Sequence, residues 1–260
     1  MSRSFKLTIA YEGTNFAGWQ VQPGQPTIQG KLQSALARIV GEPVQVIGSG
    51  RTDSGVHAIA QVASCTLKEW GHSADSLRKA LNTRLPETIV VTESIDAPDG
   101  FHAIRDATGK RYRYQLQLGG TRDAFEFPYR WHLKGHVDIE RMRLAASRFL
   151  GTHDFAGFQK AGSDRKTTVR EIRACEVIPQ SLSEHFATDG RLHFAVDVEA
   201  NGFLYNMVRN IVGTLVEVGR GRREPQWIDE VIAGKDRDLA GQTAPGHALF
   251  LLRVDYPEFG

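Results

Sequence analysis

Arg111-Tyr112-Arg113-Tyr114-Gln115-Leu116-Gln117-Leu118 changes from polar to apolar at every step. A two-residue period is the signature of a strand with one face buried. This strand lies near the middle of the chain, and a comparable order of strands and helices precedes and follows it.

Upstream, Phe5, Leu7, Ile9 and Tyr11 alternate with Lys6, Thr8 and Ala10, which predicts a half-buried strand. Thr27 is placed to cap a helix in which Ile28, Leu32, Ala35, Leu36, Ile39 and Val40 recur at helical spacing. Gly41 and Pro43 end it. A strand starts over 44–47, a loop spans 48–55, and 56–67 reads partly as strand. Leu77, Ala80, Leu81 and Leu85 share one face of a second helix that stops at Pro86, and 89–95 is a further strand. Downstream, a helix is expected over 138–150, strands over 169–178 and 192–200, and a long helix over 201–219. A short helix entered through Pro225 covers 227–233, and a strand over 249–256 closes the chain. Strands and helices in mixed order, with hairpin-like strand pairs, favour an α+β fold over a doubly wound parallel sheet. The turn-rich stretch 119–128 is the expected boundary between a first half, 1–119, and a second, 120–260.

The 260 residues suffice for one large core or two ordinary ones. Apolar residues at 41% and charged residues at 24% are the mix of a globular protein rather than a disordered one. Met1-Ser2-Arg3-Ser4 runs straight into the first strand without an apolar leader. The most apolar stretch, 203–218, contains Asn206, Arg209 and Asn210, which makes it a buried helix rather than a membrane span. Cys65 and Cys175 read as buried thiols in a reducing compartment, so the cytoplasm is expected. A net charge of +2 excludes a global polycation but leaves room for a focused basic surface. The candidates are Lys110, Arg111 and Arg113; Lys160, Arg165, Lys166, Arg170 and Arg173; and Arg220, Arg222 and Arg223. Each group alone is ordinarily a solvated face.

Gly48-Ser49-Gly50-Arg51-Thr52-Asp53-Ser54-Gly55-Val56-His57 carries the chemistry. Glycines let a backbone take positive φ and let a substrate come close. An arginine two residues from Asp53 favours its ionised form, and an ionised carboxylate beside a cation is a nucleophile for an electrophilic carbon. In isolation, an aspartate in such a loop is more often a turn residue bonded to its own backbone. A phosphate-binding P-loop requires Lys-Ser/Thr where Val56-His57 stands, and a dinucleotide fingerprint requires glycine at position 53. Asp53-Ser54-Gly55 matches an aspartic-protease triplet, but the chain has no second one. His132 and His136 are four apart, yet Gly135 weakens the helix that would align them, so no metal is expected.

With these residues in view, the chain resembles the tRNA pseudouridine synthases of the TruA type. Residues 50–57 resemble the family's catalytic loop. Tyr11-Glu12-Gly13 with Phe16-Ala17-Gly18-Trp19-Gln20 resembles its N-terminal signature, and Phe101-His102-Ala103 followed by Lys110-Arg111-Tyr112-Arg113-Tyr114 its central segment. Gly151-Thr152-His153-Asp154-Phe155 and Asn201-Gly202-Phe203 through Met207-Val208-Arg209-Asn210-Ile211-Val212-Gly213 resemble its second half. The order holds from about Phe5 to Tyr256.

The resemblance implies a pseudouridine synthase fold: two ferredoxin-like halves sharing a central, mostly antiparallel mixed sheet flanked by helices and loops, the halves forming one catalytic unit. It implies an isomerase acting on uridines 38 to 40 of the tRNA anticodon stem-loop, cofactor-free and homodimeric. Asp53 matches the family's nucleophile, Tyr112 the tyrosine packed on the target base, Arg51 the arginine that helps extrude it, and Arg209 the basic residue paired with the catalytic carboxylate. The family usually has arginine directly after Phe-His-Ala; here Ile104 intervenes before Arg105, so Arg105 is left outside the site. An RNA-binding module without turnover would need no nucleophile, and a phosphate-cradling enzyme would need a cation or metal ligand at the end of the 48–55 loop.

Overall fold

A computed structural model of the chain describes residues 2–160, 167–180 and 190–258. Arg165 and Lys166 lie outside the described residues. In chain order the elements are β1 (Arg3–Tyr11), α1 (Ile28–Val40), β2 (Val46–Gly48), β3 (His57–Leu67), α2 (Ala74–Asn82), β4 (Ile89–Asp96) and β5 (Gly109–Leu118). There follow β6 (Trp131–Leu133), α3 (Ile139–Ala146), β7 (Gly151–Asp154), β8 (Val169–Gln180), β9 (Leu192–Ala200), α4 (Met207–Gly219), α5 (Trp227–Gly234) and β10 (Leu249–Asp255). The class is α+β, with mostly antiparallel strand pairing. Among the described residues, no helix is long and apolar enough to cross a membrane.

The chain divides into two compact units, residues 1–110 with 250–260, and residues 111–249. In the first, β1 lies between β4 and β3, antiparallel to both, and β2 is antiparallel to β3. β10 runs parallel to β3, with Phe250 opposite His57. Phe5, Leu7 and Ile9 are wholly buried, as their alternation predicts. Thr27 caps α1 by accepting from the Gly30 N–H, and Gly41 closes it at φ 79. α2 stops earlier than its apolar face suggests. At its last residue, the Asn82 side-chain amide bonds both the N–H and the carbonyl of Val91 and so ties the end of α2 to β4.

In the second unit β8 is antiparallel to β7 and β9, and β6 is parallel to β5. Tyr114, Phe149, Phe155, Phe158 and Phe194 fill its core together with α4. Asp138 caps α3, whose expected last turn tightens into a 3-10 turn over Ser147–Phe149. The helix expected from residue 201 begins only at Met207. Asn206 adopts the left-handed conformation, φ 64, which breaks the helical path before the first turn.

Candidate active site

Asp53 sits half-buried on the loop between β2 and β3. The chain around it is tied to the N-terminal segment. The Trp19 N–H donates to the Thr52 carbonyl at 3.0 Å, the Gly55 N–H to the Phe16 carbonyl at 3.4 Å, and the Ser54 hydroxyl to the same carbonyl at 3.1 Å. The contact leaves no room for side chains on the facing strand of chain. A Cβ on Gly18 would stand 2.6 Å from the Thr52 carbonyl oxygen, and one on Gly13 would stand 2.0 Å from that of Val56. The glycines of the N-terminal signature therefore serve close backbone approach to the loop.

Beneath the loop lies a buried polar network. Tyr11 hydrogen-bonds Thr52 hydroxyl to hydroxyl at 2.8 Å. The Gln61 amide donates to the Gly50 carbonyl at 3.0 Å, and the Ser49 hydroxyl donates to the Gln61 amide oxygen at 2.6 Å. Lys110 donates to the Ser49 carbonyl at 2.7 Å. Ser49 stands in the quoted loop, Tyr11 in the N-terminal signature and Lys110 in a basic group, but the sequence gives none of them, nor Gln61, a role at the site. Tyr11, Gln61 and Lys110 lie in strands, where polar residues are commonplace and carry a weak signal, though Gln61 is 0% exposed.

His57 is a structural neighbour of this loop. The Gly13 N–H donates to its Nδ1 at 3.0 Å, while a Glu12 carboxylate oxygen stands 3.4 Å from the same nitrogen. An ion pair there would need a proton on Nδ1, but a backbone N–H can only donate. Nδ1 is therefore the acceptor, and the neutral ring carries its proton on Nε2. The ring stacks on Phe250 at 4.6 Å.

Arg51 is exposed on the same loop. In the other unit, Tyr112 is 7% exposed on β5, with the Phe203 ring edge-on at 5.1 Å. Tyr114 is a core residue whose hydroxyl donates to the Pro245 carbonyl at 2.8 Å rather than facing water. Burial holds its phenol well above the usual range, against the nearby charge of Arg209. Arg209 lies in the first turn of α4, half-buried. Its Nε donates to the Ala244 carbonyl at 2.7 Å and a terminal nitrogen to Asn206 Oδ1 at 3.2 Å. The left-handed Asn206 thus both ends the preceding chain and steadies the guanidinium. Arg105, left outside the site above, is an exposed group bonded to Asp106 and the Gly100 carbonyl.

Several cations of the basic groups are engaged locally. Arg111 and Arg113 both bind Asp197, a carboxylate with no exposed side-chain surface, at 2.7 Å each. Arg173 pairs with Glu171, Arg222 with Glu217, and the Arg223 guanidinium lies over Trp227. Burial opposes ionisation of Asp197 most strongly. The hydrogen bonds from Arg113 and Arg111 together outweigh it and hold the carboxyl below its ordinary value.

A family model described as tRNA pseudouridine synthase matches residues 7–104 and 145–257. A relative from Geotalea uraniireducens (strain Rf4), called tRNA pseudouridine synthase A, is 41% identical over 254 residues, covering 98% of this chain and 100% of its own. The protein of that name from Oleidesulfovibrio alaskensis (strain ATCC BAA-1058 / DSM 17464 / G20) is 44% identical over 271 residues, covering 97% of this chain and 96% of its own.

Proposed function

This chain belongs to the tRNA pseudouridine synthase family, and we propose that within it Asp53 is the covalent nucleophile acting on uridines 38 to 40 of the anticodon stem-loop. The reaction is an isomerisation of uridine in tRNA. The N1–C1′ bond breaks and a C5–C1′ bond forms, so no atom is gained or lost overall.

The observation that carries this reading is the seating of Asp53. A half-buried carboxylate is held by a loop whose backbone is bonded on both sides of it, at Thr52 and at Gly55. A nucleophile benefits from such fixed placement, because positioning supplies a large part of a lowered barrier. Attack at C6 of uracil or at C1′ of ribose gives a covalent adduct by either route. The base then turns and C5 joins C1′, the bond to the Asp53 carboxylate breaks and frees it, the C5 proton departs, and N1 takes up a proton. The Tyr112 hydroxyl or a water takes the C5 proton.

A uridine in a stem must first leave its stack, at a cost of a few kcal/mol. Arg51, exposed beside Asp53, helps extrude it. The Tyr112 ring receives the base, and stacking on an aromatic ring returns about 1–3 kcal/mol. Arg209 pairs with the catalytic carboxylate and keeps it ionised. The two halves of the chain act as one catalytic unit, and the enzyme works as a cytoplasmic homodimer. These assignments follow the match of motifs residue by residue.

Mapping pseudouridine in unmodified tRNA after treatment with the purified protein tests the substrate position. New pseudouridine confined to 38, 39 and 40 supports the reading, and conversion elsewhere in the tRNA overturns the positional part of it.

A further inference from the structure

The chain leading to Asp53 is gripped at two successive residues. Ser49 is 1% exposed, its N–H donates to the Val62 carbonyl at 2.7 Å, and its own carbonyl accepts from the Lys110 ammonium at 2.7 Å. The next carbonyl, that of Gly50, accepts from Gln61 at 3.0 Å. Gly50 is also why the lysine reaches its target, since a Cβ at this position would stand 2.7 Å from the ammonium nitrogen. A hydrogen bond from a cation is roughly twice as strong as one between neutral groups. A charge-assisted tie on the base of this loop thus comes from a side chain distant in sequence.

We infer that Lys110 is a positioning residue for Asp53, and that Gly50 is glycine so that the Lys110 ammonium can hold the Ser49 carbonyl. The inference rests on the reading of Asp53 as nucleophile. Lys110 acts through the loop, by its bond to the Ser49 carbonyl. Its loss lets the segment before Asp53 drift, and a misplacement of about 1 Å costs on the order of a hundredfold in rate.

Two variants approach the contact from opposite sides. Lys110→Met removes the cation and keeps the length of the side chain. Gly50→Ala leaves Lys110 in place but pushes aside the end of a flexible side chain, which the fold tolerates. The expected result is a fall in kcat of about tenfold to a hundredfold in each variant, with KM for tRNA nearly unchanged. The double variant should be no worse than the poorer single one, because both remove the same contact. Amide hydrogen exchange over residues 49–55 should quicken in both variants. This readout needs no turnover, so it separates the inference from failure of the isomerase reading, which wild-type protein alone decides. Wild-type kcat in Gly50→Ala, a rise in KM without loss of kcat, multiplying losses in the double variant, or unchanged loop exchange would each overturn the inference. The KM outcome would instead mark Lys110 as a phosphate contact.

Discussion

The hydroxyls of Tyr11 and Thr52 stand 2.8 Å apart, and Thr52 is the residue immediately before Asp53. Both are buried, at 4% and 6% exposure. The last residue of β1 is thereby connected to the candidate nucleophile through one hydrogen bond. Burial pushes the Tyr11 phenol up to about 12, with its bonds to Thr52 and Gln61 pulling the other way. The phenol stays protonated at neutral pH and serves as a fixed bonding partner rather than as a base.

Tyr11→Phe should therefore lower both stability and turnover. Leaving the Thr52 hydroxyl without its partner in a buried site costs about 1–3 kcal/mol. Urea unfolding should show a lower midpoint with an unchanged slope. The kcat for tRNA should fall with little change in KM. Unchanged kcat in the folded variant would mean that this bond supports the core but not the loop.

Tyr112 offers a division between ring and hydroxyl. Tyr112→Ala removes the platform for the base and should weaken tRNA binding by about 1–3 kcal/mol, which is roughly a tenfold to hundredfold rise in Kd. Tyr112→Phe keeps the ring and its edge contact with Phe203, so binding should persist while kcat drops. Filter binding and single-turnover rates measured on the two variants separate the roles. Full turnover in Tyr112→Phe would assign the C5 proton to water.

Asp197→Asn should destabilise the second unit. Arg111 and Arg113 would lose a shared carboxylate that is fully buried. Removing one member of a buried pair costs about 3–5 kcal/mol, and the lower end applies because both arginines remain partly exposed. The folded carboxyl is held below its ordinary value of 3.8. On acidification the unfolded chain binds a proton there first. The stabilisation is thus complete above about pH 5 and is lost as pH falls through 3.8 toward the folded value. Wild-type stability should fall in that window more steeply than that of Asp197→Asn. Parallel pH profiles would show that Asp197 contributes nothing to the acid response.

Exposed and engaged arginines should differ toward RNA. Arg51→Ala should weaken tRNA binding and lower the salt dependence of log K by about one unit. Arg113 is bound to Asp197, so Arg113→Ala should mainly lower stability and leave the salt slope as it was. An equal change in slope for both would place Arg113 on the RNA.

The parts of the fold governed by local sequence were the legible ones. Thr27 and Gly41 bracket α1 because capping depends on a few adjacent residues. The alternation in β1 gives its buried face directly, and that in β5 holds through Leu116 but not at its end, where Gln117 is buried and Leu118 half-buried. Apolar spacing places the start of α4 too early because Phe203 and Leu204 extend a pattern that the left-handed Asn206 interrupts, and such spacing does not register a backbone turn. β7 is four residues long, too short for a periodic signal. Arg111 and Arg113 looked like part of a basic surface because their partner, Asp197, is more than eighty residues away in sequence. Lys110 escaped notice as a loop anchor for the same reason, with Ser49 sixty-one residues off. Asp53 itself was legible by its motif, whereas the network beneath it belongs to tertiary structure.

The most direct measurement is conversion of uridine to pseudouridine in unmodified tRNA, with purified wild-type protein beside Asp53→Asn and no added cofactor. Conversion by the wild type with none by the variant is the predicted result. Equal conversion by both proteins would contradict Asp53 as the nucleophile while leaving the isomerase intact.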